Sequence, residues 1–407
     1  MIKRVYITFV RFLSLFIFNK FTRKSFRKKC FEYYDNLKIK KDTKNYYPIK
    51  LFNHNKIRDK SVLIIEINNF HGITLPGYIH YFAELGYNVD VFLLLGQNVL
   101  WRPLDRLEDE FRAFYGDEQS LSEKIRSTNL KSYDFVFINT TFYYGIYSPY
   151  PNAMSVFDLI GIKPKGKFGT LMIEHNYDPF VEKFNEQQYI KEGTLFTLLG
   201  FRNTKMLSSS YVGKVTITPK NKNKIIFLAV GTLAPQNRNY KMLIEACESL
   251  IKQKIINFKI NIIGYGNLED LPKEVQPFIN ILGALSYPDM FETIEHGDYI
   301  LTLFDPDNKE HHKYVDNWAS GSSILFYAFS KLPLIHSFFA QSYFLDNNNA
   351  IVYTNLEEGM KSAIEIGSTE YQCRQEALTQ LAKNLQIQSI KNLSEQLERM
   401  KNVFSSK

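Results

Sequence analysis

Seven consecutive residues, Ser61–Ile67 (SVLIIEI), form a strand-length run with almost no polar side. Only a strand covered on both faces can use such a run, which points to a parallel sheet packed between helices. A polar turn follows at Asn68-Asn69-Phe70-His71-Gly72. Leu75–Leu85 then has helical spacing, Gly86 ends it, and Val89–Leu95 predicts the next strand. Tyr133–Asn139, Gly169–Glu174 and Met206–Val212 are further strand candidates. Strands alternating with helices over this length predict a doubly wound sheet.

The pattern restarts after the Lys/Asn-rich break at Lys220–Lys224. Ile225–Gly231 predicts a strand, Asn239–Ile251 a helix, and Phe258–Gly264 a strand. Tyr287–His296, Asp298–Phe304, Ser322–Ser330 and Pro333–Ser337 continue the alternation, and Glu370–Val403 is helical throughout. The chain of 407 residues therefore divides into a basic extension (1–60), one α/β domain (61–219), a second (220–380) and a closing helix (381–407) that crosses back to the first domain. Two such units trap ligand in the cleft between them.

Charge is distributed unevenly. Residues 1–60 hold 17 Lys and Arg against 4 Asp and Glu, while the whole chain nets only +8, so the folded body is mildly acidic. That balance argues against a nucleic-acid partner. Within the arm, the apolar and aromatic stretch Val5–Phe18 is too short and interrupted to span a bilayer, and no small-residue cleavage site follows it. Arg23, Lys24, Arg27, Lys28 and Lys29 come directly after. Apolar residues followed by a cationic cluster suit a segment lying on an anionic membrane surface, and residues 1–30 are expected to do so from the cytoplasmic side. The three scattered cysteines suggest neither a disulfide framework nor a zinc site.

Four loops carry the chemistry. Gly231-Thr232-Leu233-Ala234-Pro235-Gln236-Asn237-Arg238 joins a strand to a helix, with glycine for close backbone approach and a cation to neutralise phosphate. Ser320-Gly321-Ser322-Ser323 opens an apolar helix, where unpaired N–H groups and the helix dipole favour an anion. Asp305, Asp307, Asn308 and His312 lie in a loop after a predicted strand, where open α/β sheets bind ligands. Asp305-Pro306-Asp307 has the outline of a metal-binding Asp-x-Asp, but two acids in a loop are a weak signal and no metal is expected. Glu174-His175-Asn176 ends a strand of the first domain, so His175 is a candidate to contact a phosphate or sugar hydroxyl. Asn69, His71 and Gly72, in the first strand-to-helix loop, are placed on the acceptor side.

The stretch Phe227–Ala246 (FLAVGTLAPQNRNYKMLIEA) resembles the start of the donor-binding domain in family-4-type glycosyltransferases (glycosyltransferase group 1). Ile262–Gly266 (IIGYG) is similar to their strand end, and Ser320–Ile335 (SGSSILFYAFSKLPLI) to the segment carrying their diphosphate-binding helix. Glu174-His175-Asn176 matches their "HN" placement. The resemblance implies a GT-B architecture, two Rossmann-like domains facing across a cleft. It implies a nucleotide-diphosphate-sugar as substrate, no cofactor, and transfer of a hexosyl group to a glycan or lipid-linked acceptor of the cell envelope. Arg238 and His175 would be catalytic, and Gly231, Thr232, Arg238 and Ser320 to Ser323 would hold the diphosphate. Gly264, Asp305, Asp307, Asn308 and His312 would meet the donor sugar or nucleotide. The branch is divergent: Trp318 and Phe326 stand where the family has a glutamate pair, and Thr232 replaces an arginine. An epimerase on the same scaffold, or a non-catalytic homologue stabilising a partner transferase, are the competing readings. The sequence singles out no separate general base.

Overall fold

The computed structural model describes residues 59–68, 71–94, 102–143, 154–221, 223–266, 268 and 271–406. The basic arm lies outside the described residues except for its last two.

Two fully parallel sheets are present. The first contains β1 (Ser61–Glu66), β2 (Asn88–Leu94), β3 (Phe111–Gly116) and β4 (Phe135–Ile138). A two-stranded antiparallel ribbon follows, β5 (Phe142–Tyr143) with β6 (Met154–Ser155). The first sheet resumes with β7 (Gly169–Glu174), β8 (Leu195–Thr197) and β9 (Lys205–Met206), in the order β3-β2-β1-β4-β7-β8-β9. The second sheet holds β10 (Ile225–Val230), β11 (Phe258–Ile263), β12 (Ile279–Gly283), β13 (Tyr299–Leu301), β14 (Leu332–His336) and β15 (Ile351–Tyr353). Its order is β12-β11-β10-β13-β14-β15. In both sheets the chain winds outward from the first strand, returns, and winds the other way, which is the Rossmann-type order. The reversal opens a crevice at the carboxyl ends of β1 and β4, and of β10 and β13.

Burial explains why these runs became strands. Every residue of β1 is buried. Its side chains alternate between two cores: Val62 and Ile64 join a cluster that continues into the second domain, while Leu63 and Ile65 join one on the opposite face. The principal helices are α1 (Leu75–Glu84), α2 (Glu118–Ser127), α3 (Tyr240–Lys252), α4 (Tyr287–Glu295), α5 (Gly321–Phe329), α6 (Leu356–Glu365) and α7 (Ser368–Ser405). Asp117, Asn239, Ser286, Ser320 and Asn355 cap α2 to α6 through their side-chain oxygens.

The 38-residue α7 bridges the domains. Near its start Tyr371 donates to the Asp298 carbonyl at 2.8 Å and Gln375 to the Ser330 carbonyl at 3.0 Å, both in the second domain. Farther along, Asn392 donates to the Met206 carbonyl at 2.8 Å and Gln396 to the Glu192 carbonyl at 2.9 Å, both in the first.

The expected strand Met206–Val212 is not one: β9 stops at Met206. Beyond it, side chains take the place of a neighbouring strand. The Ser208 N–H donates to Ser389 Oγ at 2.9 Å, and Tyr78 and Tyr81 donate to the Leu207 and Ser208 carbonyls at 3.2 and 2.6 Å. With these backbone groups taken by side chains of α1 and α7, the segment is held without a neighbouring strand.

Candidate functional site

A cleft of about 310 Å³ lies between the carboxyl edges of the two sheets. His71, Ile73, Thr74, His175 and Leu198 line it from the first domain; Gly231, Thr232, Arg238, Gly264, Tyr265, Tyr287, Trp318 and the start of α5 line it from the second. Among the described residues that line it there is no Asp or Glu.

On the second-domain wall β10 ends at Val230, and the backbone turns sharply at Gly231 (φ 141°). A Cβ on Gly264 would run into the Gly231 carbonyl, so this approach of the β10 and β11 ends requires glycine. The turn brings Arg238 back beneath it. Arg238 is only 4% exposed. Its Nη2 donates to the Val230 carbonyl at 3.1 Å, Ser320 Oγ at 3.1 Å and Ser322 Oγ at 3.4 Å, and Nη1 donates to the Asn237 carbonyl at 2.9 Å. All four acceptors are neutral, and Nε has no partner. Among the described residues no carboxylate pairs with it; a buried guanidinium in that state carries a large desolvation cost, which an anion in the cleft would offset.

Ser320 caps α5, and the helix start faces the same cleft. Gly321 is exposed, with open space where a side chain would lie. The sequence places three N–H groups here, and the structure uses two: the Ser322 N–H donates to its cap, Ser320 Oγ, at 3.4 Å. Ser323 spends its N–H on the Ser320 carbonyl at 2.9 Å and its hydroxyl on the same oxygen at 2.6 Å. Gly321 and Ser322 remain in the cleft lining.

The turns after β1, β4 and β7 meet on the first-domain wall. His175 is buried, and its Nε2 donates to the Asn139 carbonyl at 2.8 Å. Burial pushes this imidazole down to about 4, so it is neutral. His71 lies flat against it, ring centroids 4.2 Å apart and planes 19° off parallel. Burial, then the neighbouring His175, hold His71 well below the ordinary histidine range. His71 Nδ1 is 2.9 Å from Thr140 Oγ1, and Thr140 donates to Glu66 Oε2 at 2.9 Å. Glu66, at the end of β1, also accepts from the Asn68 N–H at 2.5 Å and from Asn139 Nδ2. Glu174, at the end of β7, accepts the His175 and Asn176 N–H groups, both at 2.9 Å, and the Thr141 hydroxyl. Burial raises Glu66 to about 7 and Glu174 to about 8 against these bonds.

The remaining sequence-based candidates fall elsewhere. Asp305, Asp307, Asn308 and His312 are absent from the cleft lining, because that loop spends its polar groups on itself and on its neighbours. Asp305 accepts from Asn239 Nδ2 at 2.7 Å and from the Asp307 N–H at 2.9 Å; Asn308 donates to the Pro235 carbonyl at 3.3 Å, and His312 to the Pro306 carbonyl at 2.7 Å. Their effect is to brace the Pro235–Arg238 turn from behind. Gly72 is buried in the short turn of 3-10 helix Gly72–Thr74 and does not line the cleft. Asn69 lies outside the described residues. Phe326 is in the core, whereas Trp318 lines the cleft and bridges to Asn176 across the domains. Sequence reading missed Glu66 and Thr140, whose signal was a polar residue at the carboxyl end of a buried strand. Among the described residues no group of three metal-ligating side chains converges, and no helix is long and apolar enough to cross a membrane.

No protein-family model matches the sequence, and no curated protein matches it. Solved structures do match. A glycosyltransferase from Rickettsia africae ESF-5 is similar at 14% identity, over 84% of this chain and 99% of that one, with a TM-score of 0.51. AviGT4, a glycosyltransferase involved in avilamycin A biosynthesis, is similar at 11% identity, over 85% of this chain and 98% of that one, with a TM-score of 0.50. At such identities the likeness is one of fold.

Proposed function

On the premise of the GT-B fold shared with those glycosyltransferases, we propose that this chain transfers a hexosyl group from a nucleotide-diphosphate-sugar, without a metal, to a lipid-linked or other cell-envelope glycan. One observation carries the reading. Arg238 is a buried cation without a counter-charge among the described residues, set beside the N-terminus of α5 in a cleft between two Rossmann-like sheets.

A diphosphate supplies the missing charge. It lies against Arg238, the Gly321 N–H and the Ser322 hydroxyl, with Thr232 at the rim. Negative charge grows on this diphosphate as the sugar leaves, so donors fixed there stabilise the transition state more than the ground state. His175 faces the transferred sugar from the other wall. Its Nε2–H is committed to the Asn139 carbonyl, which leaves Nδ1 as an acceptor for a sugar hydroxyl. Domain closure brings donor and acceptor together and supplies the proximity term. The basic arm, residues 1–30, holds the protein to the anionic inner face of the membrane, where a lipid-linked acceptor is found.

Two experiments test this. Thermal unfolding with UDP, GDP, ADP, CMP and their common sugar conjugates should show one nucleotide diphosphate raising the melting temperature. The gain is about 2.7 kcal/mol at a hundred times Kd, and Arg238→Ala should abolish it. No shift with any of them removes the donor reading. Flotation with phosphatidylserine liposomes should fall when residues 1–30 are deleted; equal flotation removes the membrane arm.

A further inference from the structure

We propose that the amino-terminal edge of the first sheet docks on an anionic membrane: the folded body meets the bilayer through Lys163, Lys165, Lys167 and Phe404, and the cleft faces away from it.

Strands β2, β1, β4 and β7 are parallel neighbours, so their amino ends form one edge, opposite to the carboxyl ends that make the cleft. The loop Gly161–Phe168 (GIKPKGKF) joins this edge ahead of β7 and is pinned to it. The Lys167 and Phe168 N–H groups donate to the Tyr133 and Asp134 carbonyls at 2.7 and 2.8 Å, and Thr170 Oγ1 donates to the Pro164 carbonyl at 2.5 Å. Gly166 presses so close to the Phe135 backbone that a Cβ would overlap it. Burial alternates along the loop: Pro164 and Gly166 are buried, while Lys163, Lys165 and Lys167 are exposed. Three ammonium groups at every second position thus share the outer side of a fixed segment.

Aromatic rings run from this loop to the root of the basic arm. Phe404, near the end of α7 and 48% exposed, meets Phe168 edge-on at 5.3 Å. Phe168 meets Phe135 at 5.5 Å, and Phe135 meets Tyr87 at 6.0 Å. Lys60 and Lys401 both lie over the Tyr87 ring, at 5.0 and 5.5 Å. The arm joins the body at Asp59-Lys60 and so leaves from this same edge. Ile162 and Val403 add exposed aliphatic surface beside the lysines.

Charge and polarity together select the partner. The loop holds no acid, although the body as a whole is net negative. Asp59, Asp134 and Glu398 are the acids nearby, and Glu398 is paired with Lys401 at 2.9 Å. A basic edge repels a basic arm, so the arm does not cover it; both call for the same anionic partner. Lysines interleaved with exposed aromatic and aliphatic side chains fit a bilayer surface, where headgroups take the charge and the acyl boundary takes the apolar tips. A nucleic acid would use the lysines and leave Ile162 and Val403 in water.

The six residues of β1, at about 3.3 Å each, set about 20 Å of sheet between this edge and the cleft. On the donor reading above, the acceptor end that reaches His175 and Trp318 then belongs to a glycan that extends off the membrane, and is not the headgroup itself.

The test puts the full chain on phosphatidylcholine vesicles with and without phosphatidylserine. The triple substitution Lys163→Gln, Lys165→Gln, Lys167→Gln alters exposed side chains, so melting should match wild type. Its affinity for the phosphatidylserine vesicles should fall at least about tenfold. Affinity within about threefold of wild type overturns the proposal. Orientation is read by quenching with brominated lipid in a Trp101→Phe background, which leaves Trp318 as the reporter in the cleft. Phe404→Trp adds a reporter on the edge. Emission should be quenched with Phe404→Trp present and unchanged without it; quenching of Trp318 alone would turn the cleft toward the bilayer and overturn the inference. Neither the nucleotide melting shifts nor the deletion of residues 1–30 enters these readings, so the donor site and the arm stand or fall separately.

Discussion

Arg238 Nη2 lies 3.1 Å from Ser320 Oγ, joining the turn after β10 to the cap of α5 across 82 residues of sequence. The contact sets a cation beside a helix N-terminus with no carboxylate among the described residues to neutralise either. Arg238→Met keeps much of the side-chain volume and removes the charge. Relief of the desolvation cost offsets loss of the hydrogen bonds, so unfolding free energy should change by less than about 1 kcal/mol. Nucleotide affinity should fall by about 100-fold. Chemical denaturation and titration calorimetry read the two effects separately; a large stability loss with intact binding would make Arg238 structural.

Glu174 gives a pH prediction. Its carboxyl titrates near 8 in the fold against 4.5 in the unfolded chain, so between those values the native state holds the extra proton. Stability from this group is complete below 4.5 and is lost as pH rises through about 8, by several kcal/mol at most. Glu174→Gln can still accept the His175 and Asn176 N–H groups and can donate to Thr141. Urea unfolding from pH 5 to 9 should show a flatter profile for the variant than for wild type. An unchanged profile would mean the carboxyl titrates normally.

Arg106 forks onto Glu295 across the domains, Nη1 to Oε1 at 2.5 Å and Nη2 to Oε2 at 3.1 Å. Burial alone would raise Glu295, but Arg106 and the Thr216 N–H outweigh it and hold the carboxyl below its ordinary value. The contribution is present above about 4.5 and fades as pH falls through the lowered value. Arg106→Ala should cost about 1–3 kcal/mol at pH 7 and less at pH 3.5, measured by denaturant titration.

Gly264 has no room for a side chain against Gly231. Gly264→Ala should cost about 2 kcal/mol or more and displace the Arg238 turn, so nucleotide binding weakens as the melting temperature drops. A stable variant with wild-type binding would show that this turn is pliable.

Much of this molecule is legible in its sequence. The runs SVLIIE and IIFLAV sit at a strand's length between turn signals, and both became central parallel strands. Arg238 and the serines at the start of α5 were legible for the same reason, since a strand-turn-helix junction is written in consecutive residues. Local spacing also misled. The segment Met206–Val212 was expected to be a strand, but beyond Met206 side chains of α1 and α7 take backbone groups that a neighbouring strand would use. Asp305 and its neighbours stand at a carboxyl edge, as ligand-binding loops do, yet their polar groups are spent within the loop and on the Asn239 and Pro235 segments. Only the tertiary structure stacked His71 on His175, and it ran the line from His71 through Thr140 to Glu66. Those residues belong to the turns after β1, β4 and β7, strands that are neighbours in the sheet but not in the chain. Side-chain periodicity fixes what each segment becomes; which carboxyl ends meet depends on strand order, and that is decided by packing between segments far apart in sequence.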